Sequence, residues 1–444
     1  MRRMTGRTWG AAGCVALVLL AACGNGRERN GTATSTPAAT TPEATSMPEA
    51  TTPVSAGTNA PADASTTPPT TVASADGSYA SAIAMTEVDN PALDAFEADV
   101  MARVDAVGLP GAGLLVVQHG ELVQFEGWGE YDLDTVVPIA SGSKWLSGVT
   151  IMTLVDEGLI DLDQPISEYV PGADRAPGKT GQITMRMLLS FTSGLLASER
   201  FPCMDDPTST LQACAREIVA RGVVHPPGTG FRYGSQHLQV AAAIAEIVSG
   251  KSFVELFNER VAGPLGMTTT AFSQTGSGGQ FTDVTNPVPA GSAVSSMADY
   301  ARFLEMLVHG GVAPDGTRII SEAALAEMDL NHTDTVDYIT ASSFRVNTRG
   351  VYGLAHWIDW TYPDGSWMVM SSDGARGFRP WIDRENDLFG VYLINDQGEG
   401  YVEGDPDAPA DDAGKVHTSG MWVFSDVAAA LGGALPEDFY LHRS

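Results

Sequence analysis

The sequence predicts an α+β fold, in which an antiparallel sheet formed from both chain ends is flanked by helices and carries an inserted all-α subdomain. Strand-like apolar runs lie near residues 113–128 and return at 366–394. Apolar residues between these two groups recur mainly at helical spacing, so a helical block separates the strands. We therefore assign residues 81–160 and 340–444 to the α/β part and residues 161–339 to the helical part.

A helix and a β-hairpin open the domain. Apolar residues at helical spacing predict the helix over residues 91–107. The runs 113–118 and 122–128 are β-like, and His119-Gly120 between them predicts a tight turn. The next helix is predicted from Lys144 to Gly158, because glycine suits a helix C-terminus.

Later elements alternate less regularly. Helical patterns predict segments at 183–190, 210–221, 236–248, 252–261, 297–308, 321–329 and about 420–431. Strands are predicted at 366–371, 377–382 and 388–394.

The N-terminus has the pattern of an export signal. A basic start precedes an apolar stretch, residues 11–22, that is too short to span a bilayer, so residues 1–22 are predicted to be a signal peptide. Leu20-Ala-Ala-Cys23 resembles the lipobox of bacterial lipoproteins, which implies acylation of Cys23. Residues 23–80 are predicted to be the lipid anchor and a disordered Thr/Pro/Ala-rich linker. We expect a protein held at the outer face of the cell membrane or envelope; the alternative is a plain signal peptide and full secretion.

Composition excludes several classes of partner and cofactor. With 25 basic and 54 acidic residues, the chain has no basic stripe for nucleic acid or for anionic lipid. Histidines are scattered and no nucleotide-binding loop occurs, so no metal or organic cofactor is expected. Residues 396–415 hold seven acids and one lysine; a solvated loop is favoured over a calcium loop, because the spacing fits no EF-hand.

Two cysteines remain after export and acylation. Cys203 and Cys214 form an even pair in an exported chain, which predicts a disulfide. Two free thiols are the alternative.

The segment Ser141-Gly-Ser-Lys144 has the spacing of a nucleophile and its base. Three residues along a helix bring Ser141 and Lys144 to one face, and a buried lysine has a lowered pKa that lets it accept the serine proton. Only four lysines occur in the chain, whereas arginine supplies the other basic side chains. Four residues alone would favour a capping serine and a surface lysine.

Matches along the rest of the chain favour the nucleophile and its base instead. Over nearly all of residues 90–431 the chain resembles the serine β-lactamase and penicillin-binding-protein-like hydrolases, in particular their class C-like branch of esterases and D-amino-acid peptidases. The matching stretches, in the family's order, are Leu162–Pro171, Ile183–Leu195, Pro264–Met267, Ser295–Gly311 and Gly353-Leu354. The resemblance implies a β-lactamase/transpeptidase-like fold over residues 81–444, with Ser141 as nucleophile and Lys144 as base.

A second element, Tyr233-Gly-Ser235, is similar to the family's Y-x-N motif. The resemblance implies that Tyr233 moves the nucleophile's proton and then protonates the leaving group. The alternative is a half-buried core tyrosine. Ser235 replaces the asparagine of lactamases and offers a smaller polar group, which argues against lactamase-type substrate recognition.

The third element is Ser372-Asp-Gly374, where the family has K-T-G or H-x-G. Gly374 fits a close approach of substrate to the backbone, whereas Ser372 replaces the family's cation. The resemblance implies that the Ala375 N–H joins that of Ser141 in the oxyanion hole. We expect Arg376 and Arg379 either to receive a substrate carboxylate or to be solvated strand arginines. Asp373 would disfavour an anionic substrate.

Together these features predict a serine hydrolase that cleaves a small-molecule or peptide ester or amide through an acyl-enzyme. An esterase or peptidase/amidase is favoured over a true β-lactamase. The alternatives are a D,D-carboxypeptidase or penicillin-binding enzyme acting on cell-wall peptides, and an inactive wall- or peptide-binding lipoprotein on the same scaffold.

Overall fold

The computed structural model describes residues 78–196, 201–275, 279–334, 336–340, 351–362, 365–395 and 423–435. All of them belong to one compact unit, Ser65–Ser444. The predicted signal peptide, Cys23, the linker up to residue 77 and the acidic loop at 396–415 lie outside the described residues.

Strands and helices follow each other largely in the predicted order. The strands are β1 (Gly111–Gln118), β2 (Glu121–Gly129), β3 (Val137–Pro138), β4 (Gly230–Arg232), β5 (Ala271–Phe272), β6 (Ala293–Ser295), β7 (Tyr338–Thr340), β8 (Trp357–Thr361), β9 (Trp367–Ser371), β10 (Arg379–Asp383) and β11 (Leu388–Leu393). The helices are α1 (Asp94–Val107), α2 (Ser143–Asp156), α3 (Met185–Leu189), α4 (Pro202–Asp205), α5 (Leu211–Arg221), α6 (Gln236–Ser249), α7 (Phe253–Phe257), α8 (Met297–Val308), α9 (Glu322–Met328) and α10 (Val423–Ala430).

Both ends of the domain meet in one antiparallel sheet. Within the described residues this sheet has the order β2-β1-β11-β10-β9-β8. The join lies between β1 and β11, where Leu115 is opposite Val391. The helices from α2 to α9 lie between β2 and β8 in the chain. The predicted α+β class is therefore confirmed.

The sheet is covered on both faces, which explains why the central strands β1 and β11 are apolar and buried along nearly their whole length rather than alternating. Leu115 and Val117 of β1 belong to the large core that also contains residues of α2, α6 and α8. Leu114 and Val116 point the other way, into a smaller core with residues of α1 and α10. Opposite pointing of neighbouring residues follows from the period of two along a strand.

Three local differences from the sequence predictions have physical reasons. The helix predicted at 252–261 is α7 followed by a π-helical turn, Asn258–Ala262. The strand predicted from Gly377 begins at Arg379, because Gly377, at φ 90°, closes a tight turn by donating to the Gly374 carbonyl. β8 was not predicted; it is short and pairs with β9 through two register shifts, which break the two-residue period.

Contacts with the domain begin upstream of the predicted boundary at residue 81. The Tyr79 ring stacks on His309 at 3.7 Å between centroids, and its hydroxyl donates to the Val312 carbonyl. Two residues later, Ser81 Oγ donates to the buried Glu305 carboxylate at 2.6 Å. Among the described helices, none is both long and apolar enough to cross a bilayer.

Candidate active site

Ser141 lies in a single 3-10 turn, Ala140–Gly142, that leads directly into α2. Two bonds fix this turn: Ser143 Oγ donates to the Ala140 carbonyl at 2.6 Å, and the Ala293 N–H of β6 donates to the same hydroxyl at 3.1 Å. Ala140 has φ 44°, a left-handed conformation that is uncommon for alanine. The result is a partly exposed Ser141 at the start of an otherwise buried helix.

Lys144 is 2% exposed and reaches Ser141 from the first turn of α2. Its Nζ donates to Ser141 Oγ at 2.8 Å and to the Ala290 carbonyl at 2.7 Å. Burial lowers the pKa of the Lys144 ammonium from 10.5 to about 7, since the charged form loses its solvation. Lys144 is therefore a buried amine in contact with Ser141, and the surface lysine weighed from the spacing alone is excluded.

Tyr233 follows β4 and precedes α6, with a half-buried ring next to Lys144. Lys144 Nζ lies 4.7 Å from the centre of this ring. Aromatic side chains also pack on the ring: Trp357 of β8 stacks on it at 5.0 Å, and the Phe191 ring meets it edge-on at 5.2 Å. Ser141, Lys144 and Tyr233 thus lie together, although 92 residues of chain separate the first and last.

The Ser372-Asp-Gly374 segment comes directly after β9 and packs on the nucleophile turn. Ser372 is buried, and its hydroxyl donates to the Ser141 carbonyl at 3.1 Å. A side chain at Gly374 would place its Cβ 2.3 Å from the Ile139 carbonyl oxygen, so only glycine fits this contact. Ser372 therefore fixes backbone in the position where the family's cation would stand.

Arg379 contradicts both roles expected for it. It is 2% exposed, its Nη1 lies 2.6 Å from Asp373 Oδ1, and its Nη2 lies 3.4 Å from Asp359 Oδ2. The guanidinium also lies over the Phe424 ring of α10. Because the sheet is covered on this face, Arg379 is neither solvated nor open to a substrate carboxylate.

The same ion pair involves Asp373, for which we expected a preference against anionic substrates. Asp373 shares the Arg379 guanidinium with Asp359, so the three groups together keep one net negative charge. That expectation stays a prediction.

The remaining predicted site residues border the cluster. Ala375 is exposed in the turn between β9 and β10, next to Gly374. Half-buried Arg376 donates to Asn395 Oδ1 at 3.4 Å. Ser235 occupies the N-cap position of α6, two residues after Tyr233, and its side chain makes no capping hydrogen bond.

Sequence reasoning missed several groups that hold the cluster in place. The Ala290 carbonyl is a backbone acceptor, for which no side-chain pattern exists. Buried Tyr300 of α8 donates its hydroxyl to the Gly142 carbonyl at 2.7 Å, and Trp357 supports Tyr233 from a strand that was not predicted. Tyr300 lies in the matched segment Ser295–Gly311, so its buried helical position was a usable signal.

A disulfide joins Cys203 of α4 to Cys214 of α5. The Cys203 carbonyl accepts from Asn286 Nδ2 at 2.7 Å, and Asn286 Oδ1 accepts from Gln239 of α6. The bonded pair therefore supports the segment that leads to Ala290.

Metal chemistry has no visible centre in the part of the chain that the structure describes. No group of three or more His, Cys, Asp or Glu side chains there is arranged to hold a metal ion. The chemistry available to this cluster is that of a hydroxyl, a buried amine and a phenol.

Comparison with known proteins gives one family. A model of the beta-lactamase family matches residues 93–413. Protein flp of Staphylococcus aureus strain N315 is 30% identical over 179 residues, which are 38% of this chain and 36% of flp, so this chain spans about a third of that relative.

Two further proteins match this chain over a larger share of their own length. Penicillin-binding protein 4 of Amycolatopsis lactamdurans is 30% identical over 257 residues, which are 50% of this chain and 65% of that protein. A solved structure of a Bacteroides dorei protein classified as a beta-lactamase is 28% identical, with a TM-score of 0.62, and covers 69% of this chain and 91% of its own.

Proposed function

This chain belongs to the beta-lactamase family, and we propose that it is a serine hydrolase that cleaves an ester or an uncharged amide through an acyl-enzyme on Ser141. The observation that carries the proposal is the 2.8 Å contact between Ser141 Oγ and the buried amine of Lys144. With a pKa of about 7, that amine is unprotonated in a large share of molecules near neutral pH, and only an unprotonated amine can accept a proton.

The first chemical step is attack of Ser141 Oγ on the substrate carbonyl carbon. The hydroxyl proton passes to Lys144 Nζ, whose second hydrogen bond, to the Ala290 carbonyl, aims its lone pair towards Ser141. The carbonyl oxygen becomes an oxyanion, and the N–H groups of Ser141 and Ala375 stabilise it. Losing one such donor typically costs on the order of 3 kcal/mol of transition-state stabilisation.

Tyr233 returns the proton to the leaving group. Its ring lies beside Lys144, from which the phenol takes up the proton that it gives to the leaving group. The leaving alcohol or amine departs protonated, and the carbonyl stays bonded to Ser141. Water then attacks this acyl-enzyme, with the same pair as base, and releases the carboxylic acid.

Substrate charge separates the favoured activity from its main alternative. Ser372 replaces the family's cation and is used by the Ser141 backbone, and Arg379 is neutralised by two carboxylates. Both facts favour an ester or an uncharged amide over a D-Ala peptide with a free carboxylate.

A D,D-carboxypeptidase stays the second candidate because of Arg376. It is half-exposed beside Ala375, and its 3.4 Å bond to Asn395 is weak enough for a substrate carboxylate to replace. The likeness to penicillin-binding protein 4 also favours this candidate. Arg376→Gln should then reduce cleavage of a D-Ala-D-Ala peptide and leave ester cleavage unchanged.

Covalent labelling tests these candidates together. The full chain, solubilised in detergent, is treated in parallel with a fluorophosphonate and a fluorescent penicillin, and the modified residue is read by peptide mass spectrometry. Labelling of Ser141 by the phosphonate alone supports an esterase or amidase, and labelling by both supports the carboxypeptidase. Ser141→Ala should abolish labelling. Ser209→Ala should not, because the exposed Ser209 hydroxyl donates to the neighbouring Thr210 carbonyl. Absence of both labels would favour the inactive binding lipoprotein.

We also propose that the protein is exported and held at the outer face of the cell membrane or envelope through Cys23. The lipobox-like sequence before Cys23 supports this location. Cys23→Ala should move the protein from the membrane fraction to the soluble fraction. If the parent is found in the soluble fraction to the same extent as Cys23→Ala, plain secretion is favoured.

A further inference from the structure

His237 in the first turn of α6 connects the loop residue Ser193 with the end of strand β4, beside the reactive cluster. Its Nδ1 lies 2.8 Å from Ser193 Oγ, and its Nε2 lies 2.8 Å from the Arg232 carbonyl oxygen. Both His237 and Ser193 are fully buried. Neither residue has a part in the reaction described above.

The surroundings of His237 fix its protonation state. A carbonyl oxygen only accepts, so Nε2 must carry the hydrogen that is donated to Arg232, and Nδ1 then accepts from the Ser193 hydroxyl. Burial, with smaller contributions from the nearby His225, Lys144 and Arg232 charges, lowers the pKa of His237 from 6.5 to about 3, although the bond to the Arg232 carbonyl acts in the opposite direction. The ring therefore stays neutral, with this one tautomer, across the working pH range.

Arg232 is the residue directly before Tyr233, so fixing its carbonyl fixes the peptide unit that joins it to Tyr233. Its N–H donates to the Phe191 carbonyl at 2.9 Å, while its own carbonyl accepts from His237. The Phe191 ring, in turn, stacks on His237 at 4.9 Å and meets the Tyr233 ring edge-on at 5.2 Å. His237 consequently holds both the backbone before Tyr233 and one of the walls of its ring.

We propose that His237 is a positioning residue for Tyr233, acting through a donated hydrogen bond that fixes the Arg232 carbonyl and so keeps the phenol beside Lys144. The inference rests on the proposed function, because it assigns a role in the same acyl-transfer step. His237 touches neither substrate nor reacting atoms, so its removal should slow proton transfer without weakening substrate binding.

Two variants separate the donated bond from the bulk of the ring. In His237→Gln the side-chain amide reaches the level of Nε2 and still donates to Arg232, whereas in His237→Asn the amide stops at the level of Nδ1 and does not. A displacement of about 1 Å at a reacting group can cost about 100-fold in rate. We expect His237→Asn to lower kcat by about 10- to 100-fold with KM within about 2-fold of the parent, and His237→Gln to restore kcat to within about 5-fold.

The measurement is kcat and KM for a p-nitrophenyl ester, with the rate of fluorophosphonate labelling at Ser141 and the melting temperature of each variant. Ser193→Ala gives a milder second variant in case His237→Asn does not fold; it should lower kcat with KM unchanged. Equal kcat in the parent, His237→Asn and Ser193→Ala would overturn the inference. A kcat that follows melting temperature alone, without rescue by glutamine, would overturn it too.

Failure of the proposed function is recognised separately. If Ser141→Ala keeps its ester turnover, the acyl-enzyme itself is wrong. If Ser141→Ala is inactive while His237→Asn is fully active, only the positioning role is wrong.

Discussion

Lys144 is surrounded by protein rather than by water, which changes what its amine can do. Protonation of Lys144 below a pKa of about 7 removes the lone pair that accepts the Ser141 proton. We therefore expect log kcat/KM for a neutral ester to rise with pH, with a midpoint about 7, and to level off above it. A rate that is flat from pH 5 to 9 would exclude Lys144 as the base.

The lowered pKa also affects stability, with a known sign. Between about 7 and 10.5, the folded and unfolded pKa values, the unfolded chain binds more protons at Lys144 than the folded chain does. The contribution of this residue to the free energy of unfolding therefore increases with pH through that window. The stability contribution should therefore keep increasing above pH 7, where the rate levels off, so the rate profile must be measured where the protein is fully folded.

Arginine at position 144 tests the chemistry without removing the charge. A guanidinium stays protonated at all working pH values and cannot act as a base, so Lys144→Arg should lose ester turnover at any pH. Lys251→Arg is the matched control, because Lys251 is a surface partner of Glu259 and should keep full activity. Turnover in Lys144→Arg within about 10-fold of the parent would remove the lysine from the mechanism.

The residue scale also marks what sequence could and could not predict. The contact between Ser141 and Lys144 is local, three residues along one chain segment, so the spacing allows it, but only the wider family matches favoured it over a surface lysine. The pairing of Arg379 depends on which sheet face α10 covers, and that is a long-range property. Charge alone gave no signal that the guanidinium would be buried.

At the scale of elements, the turn between β9 and β10 carries Ala375, whose N–H we propose for the oxyanion site. It packs against the nucleophile turn without a side chain between them, since a Cβ at Gly374 would lie 2.3 Å from the Ile139 carbonyl oxygen. Gly374→Ala must move the turn, and the Ala375 N–H with it, away from Ser141. We expect a loss of about 100-fold in kcat/KM.

The control for this prediction is Gly291, a second glycine that lies near the nucleophile turn. A Cβ at Gly291 would lie 3.9 Å from the Ala140 carbonyl oxygen, which is ordinary contact, so Gly291→Ala should keep activity within about 3-fold of the parent. Comparing fluorophosphonate labelling rates of both variants at equal folded fraction isolates the geometric effect. Similar rates for the two would show that the turn does not set the oxyanion geometry.

Elements differed in how well the sequence predicted them. Helices such as α6 and α8 span 14 and 12 residues, long enough for the period of their apolar residues to be unambiguous, and both were predicted to within one residue. β8 covers five residues and contains two register shifts against β9, too little for a period to be read. Because β8 was not predicted, Trp357 could not be identified as the residue that stacks on the Tyr233 ring.

On the scale of the whole molecule, the cluster joins chain segments that are far apart in sequence. Ser372 reaches the Ser141 carbonyl across 231 residues, because β1 and β11 pair at the centre of the sheet. Lys144 reaches the Ala290 carbonyl across 146 residues of the helical block. The order of the family motifs predicted the first connection, whereas the second runs through a backbone acceptor and could only come from the folded chain.

The disulfide tests how far the helical block is supported as a unit. Closing a loop of this size contributes about 3 kcal/mol on the chain-entropy model, so reduction should lower the free energy of unfolding by about that amount. Activity of the folded protein should change much less. Ser147 of α2 donates its hydroxyl to the Pro289 carbonyl at 2.7 Å, and this bond holds the residue before Ala290 independently of Cys203 and Asn286. Urea unfolding and ester turnover are measured with and without a phosphine reductant.

The double variant Cys203→Ala, Cys214→Ala is the control, since its unfolding should not respond to the reductant. A reduced parent that loses turnover while still folded would mean that the disulfide, through Asn286, sets the position of the Ala290 carbonyl beside Lys144. A free energy of unfolding that does not change on reduction would instead mean that the helical block is held by its apolar core, in which both cysteines are already buried. The expected result lies between these two: a less stable protein in which Lys144 and Ser141 keep their contact, because α2 carries both the lysine and the serine that holds Pro289.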